Sequence, residues 1–352
     1  MENNKRIVYP DILRILAIFG VINIHVVSQF WTNLPLKSMS WITLVIVDSL
    51  FRFSVPIFVM VSGMFMLSPQ KERSFKELFS KNILRIAISF IFWTVLYSLF
   101  SIVSHKFADN YLTPDISQQF YYFIDRKAHT WFLYMIIGLY LATPILRKIV
   151  FDKRTLEYFL VIWFIFVLCS NFLFLLPYIG EPIHNFLNNF KMSVALEYSG
   201  YYCLGYYLHN YDLKKKTNGI IYSLGMLSIL ITAFLTVFMS LKADRTFSNF
   251  LDYLMPNTMF SSIALFLFVK KICKNKSLST RKQNIITNLS KYSFGVYLCH
   301  ELILQIASFF ILKDFVSHIF SKYILLLLIT TILSFAVSAV INKIPFLNKY
   351  IV

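Results

Sequence analysis

The apolar stretch YPDILRILAIFGVINIHVV carries three ionisable side chains, Asp11, Arg14 and His25. A charged group deep in a membrane-length apolar segment is costly unless it is paired or hydrated, so such residues mark candidate sites. At ~100° per residue, Arg14 and His25 are offset by only ~20° on a helix, and Asp11 and His25 by ~40°. The three share one face, with a rise of roughly 16 Å between Arg14 and His25. A buried histidine with an acidic residue on its face suits proton abstraction near neutral pH. A buried arginine suits an anionic ligand such as a phosphate. The plainer reading is an Asp11–Arg14 pair one turn apart and a His25 bonded to a neighbouring carbonyl. Gly20 lies between Arg14 and His25, where a second helix or a ligand could approach closely.

Other polar residues interrupt later apolar stretches. Asp48 and Arg52 stand one turn apart, followed by Ser54, Pro56, Ser62 and Gly63. Here a structural ion pair is favoured over catalysis, and Pro56 is expected to kink the segment. Lys291 lies at the inner end of a late stretch, with His300 and Glu301 further along it. His129 and Trp131 open another, where a tryptophan most often serves as an interfacial anchor. His105, His184 and His318 have no partner at metal-ligand spacing and read as surface residues. Cys169, Cys203, Cys273 and Cys299 suggest neither a disulfide nor a metal site.

These residues must be positioned by membrane-spanning helices. The chain has 352 residues, 57% hydrophobic and 14% charged, where a soluble domain carries roughly 25% charged residues. A span needs about 20 mostly apolar residues. Ten stretches qualify: 8–30, 41–67, 82–103, 130–147, 157–176, 192–209, 219–240, 253–271, 289–311 and 321–342. The expected fold is all-α, a polytopic transmembrane bundle over residues 1–352, with no separate soluble domain. The first stretch is long and broken by Arg14, so it reads as a retained span and not a cleaved signal. With the N-terminus inside, 21 Lys and Arg fall in inner segments and 9 in outer ones. That bias favours both ends inside. The net charge of +17 therefore reads as topology signals and anion contacts at the membrane surface, not as a nucleic-acid footprint.

Together, an inner arginine and a deeper histidine suggest an enzyme that draws a phosphorylated donor from the cytoplasm. The same Asp, Arg and His would also serve a proton-coupled transporter or exporter. A purely structural scaffold fits poorly with so many costly buried charges.

The chain resembles membrane acyltransferase family 3, which includes bacterial O-antigen and enterobacterial common antigen acetylases. The first span is similar to the family's D-x-L-R-x10-H element, here Asp11-Ile-Leu-Arg14 and then His25. FRFSVPIFVMVSGMFML, HTWFLYMIIGLYLATPIL, YLMPNTMFSSIALF, YSFGVYLCHELIL and IPFLNK resemble its later blocks in order. Family members commonly carry two arginines three apart before the third span. Here Arg85 matches the second, Asn82 occupies the first, and Lys81 is adjacent. The resemblance implies transfer of an acyl group, most simply acetyl, from cytoplasmic acyl-CoA to a cell-surface glycan or its lipid-linked precursor, in a bacterial cell membrane. Acyl-CoA would be a co-substrate, with no resident cofactor. His25 is then the expected general base, with Arg14 and Asp11 completing the catalytic set. Arg14, Lys81, Arg85 and Arg52 are expected at the donor. His129, Trp131, Tyr134, His300 and Glu301 are expected at the substrate, with His129 at the acceptor mouth and His300 in the inner cavity. The acceptor, the acyl chain, a covalent intermediate and the oligomeric state are left open.

Overall fold

The computed structural model describes residues 6–31, 34–69, 74–107, 130–192, 196–274, 278–312 and 318–351, with only the backbone for 101–107 and 310–312. His129, Asp115 and Tyr121–Tyr122 lie outside the described residues, as does the side chain of His105. Among the described residues every regular element is helical. The longer ones are α1 (Tyr9–Trp31), α2 (Met39–Phe51), α3 (Ser54–Met66), α4 (Leu84–Phe107), α5 (Trp131–Phe151) and α6 (Lys153–Trp163). They continue with α7 (Gly180–Asn188), α8 (Ser199–Asn210), α9 (Lys215–Ala243), α10 (Pro256–Lys274), α11 (Thr280–Leu312), α12 (Ile319–Lys343) and α13 (Pro345–Tyr350).

α1 is the hub of the bundle. Leu13, Ala17, Ile18, Ile22, Val26 and Val27 are fully buried, and α2, α3, α10, α11 and α12 all pack against it. Apart from Asp11, Arg14, Asn23 and His25 the run from Tyr9 to Val27 is apolar, and so apolar a helix belongs in the interior. By contrast α12 exposes Ile324, Leu328, Ile332 and Val340, and buries Thr330, Ser334 and Ser338. Apolar residues facing out and small polar ones facing in are what a lipid-facing helix requires.

Eight helical stretches are long and apolar enough to cross a membrane. The chain is thus a multi-pass helical protein, as its hydropathy implies. The remaining expected spans, 192–209 and 289–311, fall on α8 and α11. α8 has 12 residues, a rise of only ~18 Å against a hydrocarbon core of ~30 Å. Tyr201, Tyr202 and Cys203 on it are fully buried, so it is walled by protein. α11 is long, with 33 residues, and carries His300 and Glu301 within its run.

Small residues set the closest helix approaches. A Cβ on Gly63 of α3 would lie 1.9 Å from the Tyr202 carbonyl oxygen of α8, and one on Gly205 of α8 would lie 1.9 Å from the Met60 carbonyl oxygen of α3. The two backbones touch only because both positions lack a side chain. A Cβ on Gly20 would lie 2.1 Å from Ser54 Oγ, so the room expected at Gly20 is filled by α3.

The stretch expected as one span over 41–67 is two helices, α2 and α3, separated at Arg52–Phe53. Pro56 sits in the first turn of α3. Its missing N–H leaves the Arg52 carbonyl without the donor four residues on, and regular bonding resumes when Ile57 N donates to Phe53 O at 2.9 Å. The helix is interrupted one turn before Pro56, and Arg52 stands at the break. A second irregularity is the π-helical segment Leu78–Ile83 leading into α4. Such segments recur at functional sites because the extra residue re-aims the side chains on them. This one carries Lys81 and Asn82.

Candidate active site

The arginine end of the α1 face opens on a cavity of about 430 Å³. Arg14, Lys81, Asn82, Arg85 and Lys291 supply its polar wall, with Ser62, Ser290 and Asn348. Phe58, Phe132, Ile136, Tyr140 and Tyr297 line the apolar part. Tyr140 and Ser62 share a hydrogen bond of 3.2 Å across α5 and α3. The cavity combines four cationic side chains with an aromatic wall, a pattern that suits a molecule with an anionic head and an apolar arm.

Asp11 is buried and does not line this cavity. It accepts from the Arg6 guanidinium at 3.0 Å and from Ser290 Oγ at 2.7 Å, and its carboxylate lies 3.8 Å from Arg14. Asp11 thus ties α1 to α11 and balances the charge beside the cavity. Arg14 also lies over the Phe65 ring, 5.1 Å from its centroid. The plain reading of an Asp11–Arg14 pair is realised, with Arg6 as the closer partner.

One helical face above Arg14, His25 meets two residues of α11. His25 Nδ1 is 3.4 Å from Glu301 Oε2, and the His25 and His300 ring centroids are 5.0 Å apart in an edge-to-face arrangement. The His300 Nδ1–H donates to the Tyr297 carbonyl at 2.6 Å, a contact that selects that tautomer. Gln305 Nε2 donates to Glu301 Oε1 at 3.1 Å. The ligating atoms of His25, His300 and Glu301 lie within 4.8 Å of one another, so this set could also hold a divalent metal. Tyr297 links the two levels. It lines the cavity, and its ring centroid lies 5.9 Å from that of His300.

Tyr97 supports this turn of α11. Its buried hydroxyl donates to the Leu298 carbonyl at 2.9 Å and accepts from the Leu302 N–H at 3.1 Å. The hydroxyl thus ties α4 to the turn bearing His300 and Glu301. Asn23, fully buried two residues before His25, accepts from the Tyr323 hydroxyl at 2.5 Å and ties α1 to α12.

Arg52 pairs with Asp48 as expected, and both side chains are largely buried. It is not part of the cavity wall. Its guanidinium lies 5.7 Å from the Tyr253 ring centroid. Trp131 stacks near Tyr253 and Tyr198. Tyr134 packs edge-on against Phe90 with centroids 4.8 Å apart. His184 is bonded to Ser170 and Asn188. All four cysteines are free thiols.

Of the expected residues, Arg14, Lys81 and Arg85 gather in one cavity, and His25, His300 and Glu301 in one cluster above it. Arg52, Trp131 and Tyr134 stand outside the cavity. Lys291, Tyr140, Tyr297 and Tyr97 had no assigned role from sequence. Lys291 alone carried a signal, as a charge at the edge of an apolar run; the tyrosines are lost among 21 in the chain.

A bundle of membrane-length helices with imidazoles, a carboxylate and arginines gathered in its interior defines a multi-pass membrane protein built for chemistry. The family model for acyltransferase family 3, an acyltransferase domain, matches residues 7–343. The chain belongs to that family, and it is a membrane acyltransferase. Comparison with curated proteins and with solved structures gives no match.

Proposed function

We propose that the protein moves a short acyl group, acetyl in the simplest case, from acyl-CoA to a hydroxyl of a cell-surface glycan or its lipid-linked precursor. The observation that carries this reading is the position of the four-cation cavity directly below the His25–His300–Glu301 cluster. Arg14, Lys81, Arg85 and Lys291 would receive the donor's phosphates, and the aromatic wall its pantetheine arm. Tyr297 and Phe132 then mark the path to His25.

His25 acts as general base. With Glu301 beside Nδ1, Nε2 is the nitrogen that would take the acceptor proton. Nε2 takes that proton as the oxygen attacks the thioester carbon. The C–S bond breaks, and the coenzyme A thiolate recovers the proton from the imidazolium. The 3.4 Å separation of Nδ1 and Oε2 would shorten as the reacting complex forms, as catalytic hydrogen bonds commonly do. Residues from both ends of the chain, Arg14 and Asn348, line the cavity. With the basic-residue bias, this favours donor entry from the cytoplasm across a bacterial cell membrane.

The test is purified protein in detergent with acetyl-CoA and glycans extracted from the cell envelope of the source organism. Acceptor-dependent release of free thiol and an added acetyl mass on the glycan are expected. Neither appearing would overturn the reading.

A further inference from the structure

We infer that Trp131, Tyr198 and Tyr253, rimmed by Glu197 and Asp252, form a saccharide-binding platform that seats a pyranose ring of the acceptor beside the catalytic cluster. The inference deepens the proposed transfer to a glycan and rests on it for the ring's role as acceptor. Three separate segments supply the rings. The Trp131 centroid lies 5.5 Å from that of Tyr198 and 6.0 Å from that of Tyr253, the latter nearly parallel at 25°. Trp131 remains 36% exposed and Tyr198 and Tyr253 are half-buried, so Trp131 offers the open face of the group. Glu197 and Asp252 are exposed and directly precede Tyr198 and Tyr253 in the chain.

This mixture matches sugar chemistry. The C–H face of a pyranose packs on the electron-rich face of an aromatic ring. Its hydroxyls donate to carboxylates, which accept only. A single interfacial anchor would need neither the convergence of three rings nor the carboxylates.

The platform is also held in place. Tyr201 Oη donates to the Tyr253 carbonyl at 2.7 Å, Asn171 Nδ2 to the Leu254 carbonyl at 3.1 Å, and Thr258 Oγ1 to the Asp252 carbonyl at 2.8 Å. Trp163 Nε1 donates to the Glu197 carbonyl at 2.7 Å. Trp163 and Tyr201 pack on each other with centroids 4.8 Å apart. Both carboxylate-bearing segments therefore rest on one buried aromatic pair, and preorganisation of this kind lowers the cost of binding.

Position completes the argument. Tyr253 lies against Arg52, its ring centroid 5.7 Å from the guanidinium. α5 runs from Trp131 at the platform along the cavity wall through Phe132, Ile136 and Tyr140. Phe132, next to Trp131, packs on Tyr297 with centroids 5.3 Å apart, and Tyr297 lies 5.9 Å from His300, so the platform reaches the cluster through these two rings.

The experiment is saturation-transfer NMR on the full chain in nanodiscs, with the methyl glycosides of glucose, galactose, rhamnose and N-acetylglucosamine as probes. At least one should receive saturation at its ring protons. Trp131→Leu and Tyr253→Leu should abolish it, and Tyr253→Phe should keep it. Unchanged acetyl-CoA binding and unfolding midpoint show that the variants fold. In the transfer assay the two leucine variants should raise the acceptor KM by roughly tenfold, the scale of one lost contact of about 1.4 kcal/mol, with the acetyl-CoA KM unchanged. No glycoside binding to the wild type, or binding that survives both leucine variants, overturns the platform. Glycoside binding without thiol release keeps the platform and removes the transferase reading.

Discussion

His25 on α1 and Glu301 on α11 bring Nδ1 and Oε2 to 3.4 Å, although nearly the whole chain separates them in sequence. The contact works because α11 packs directly along α1, and Asp11–Ser290 and Gly20–Ser54 fix the helices around it. It also separates two acids on the sequence by role. Asp11 serves Arg6, Ser290 and Arg14, while Glu301 serves the imidazole.

His25→Ala should remove acyl transfer, a loss of the ~10²–10⁴-fold typical of general-base catalysis. Membrane insertion and yield should not change. Thiol release with acetyl-CoA and acceptor measures it, and a variant at the wild-type rate would remove His25 from the base's role.

Glu301→Gln should lower kcat by less than the loss at His25 and leave the acetyl-CoA KM in place. The amide still occupies the space beside Nδ1 but cannot stabilise an imidazolium. A change confined to the donor KM would assign Glu301 to donor binding instead.

Arg14→Ala and Arg85→Ala should each raise the acetyl-CoA KM. Hydrogen bonds to charged groups contribute about 1.5–3 kcal/mol, which corresponds to roughly ten- to a hundredfold. Dephospho-coenzyme A thioesters compared across the variants would show which side chain meets which phosphate. Unchanged KM in both variants would empty the cavity of its donor role.

Gly63→Ala should destabilise the bundle, because the new Cβ meets the Tyr202 backbone and neither helix has a flexible side chain to yield. Overpacking of this kind costs about 1–3 kcal/mol. Gly138→Ala is the control, since a Cβ there meets nothing within 4 Å. It should be neutral or stabilising by about 0.5–1 kcal/mol, from better helix propensity. Thermal unfolding in detergent separates the two.

Asp212, in the loop between α8 and α9, is held down to about 2 by hydrogen bonds from Lys274 and Lys270. Its folded value lies below its unfolded one, near 3.9. Its contribution to stability is therefore complete above about pH 4 and is lost as pH falls toward 2. Asp212→Asn should flatten the acid limb of the stability profile in that window. The effect should be small, because exposed pairs contribute only ~0.2–1 kcal/mol.

The sequence alone determined that this chain is helical and membrane-embedded, because each span's hydropathy is a local property of about 20 consecutive residues. It also determined that Arg14 and His25 share a face, since that follows from helix periodicity within one segment. The cost of a buried charge singled out Asp48, Arg52, Lys291, His300 and Glu301, and one-turn spacing paired the first two. Partners on other helices were another matter. Whether an isolated ionisable residue meets ligand, lipid or protein depends on which helix lies opposite, and no local pattern encodes that. Helix rise alone kept Asp11 about 20 Å from His25, but only the tertiary structure decided that Glu301 faces the imidazole, that Arg52 leaves the cavity for Tyr253, and that α8 is a short buried helix. Tyr97, Tyr140 and Tyr253 gained meaning only there. A tyrosine in an aromatic-rich membrane chain looks the same in sequence whether it faces lipid or completes a site, and the difference lies in what the folded backbone places against its ring and its hydroxyl.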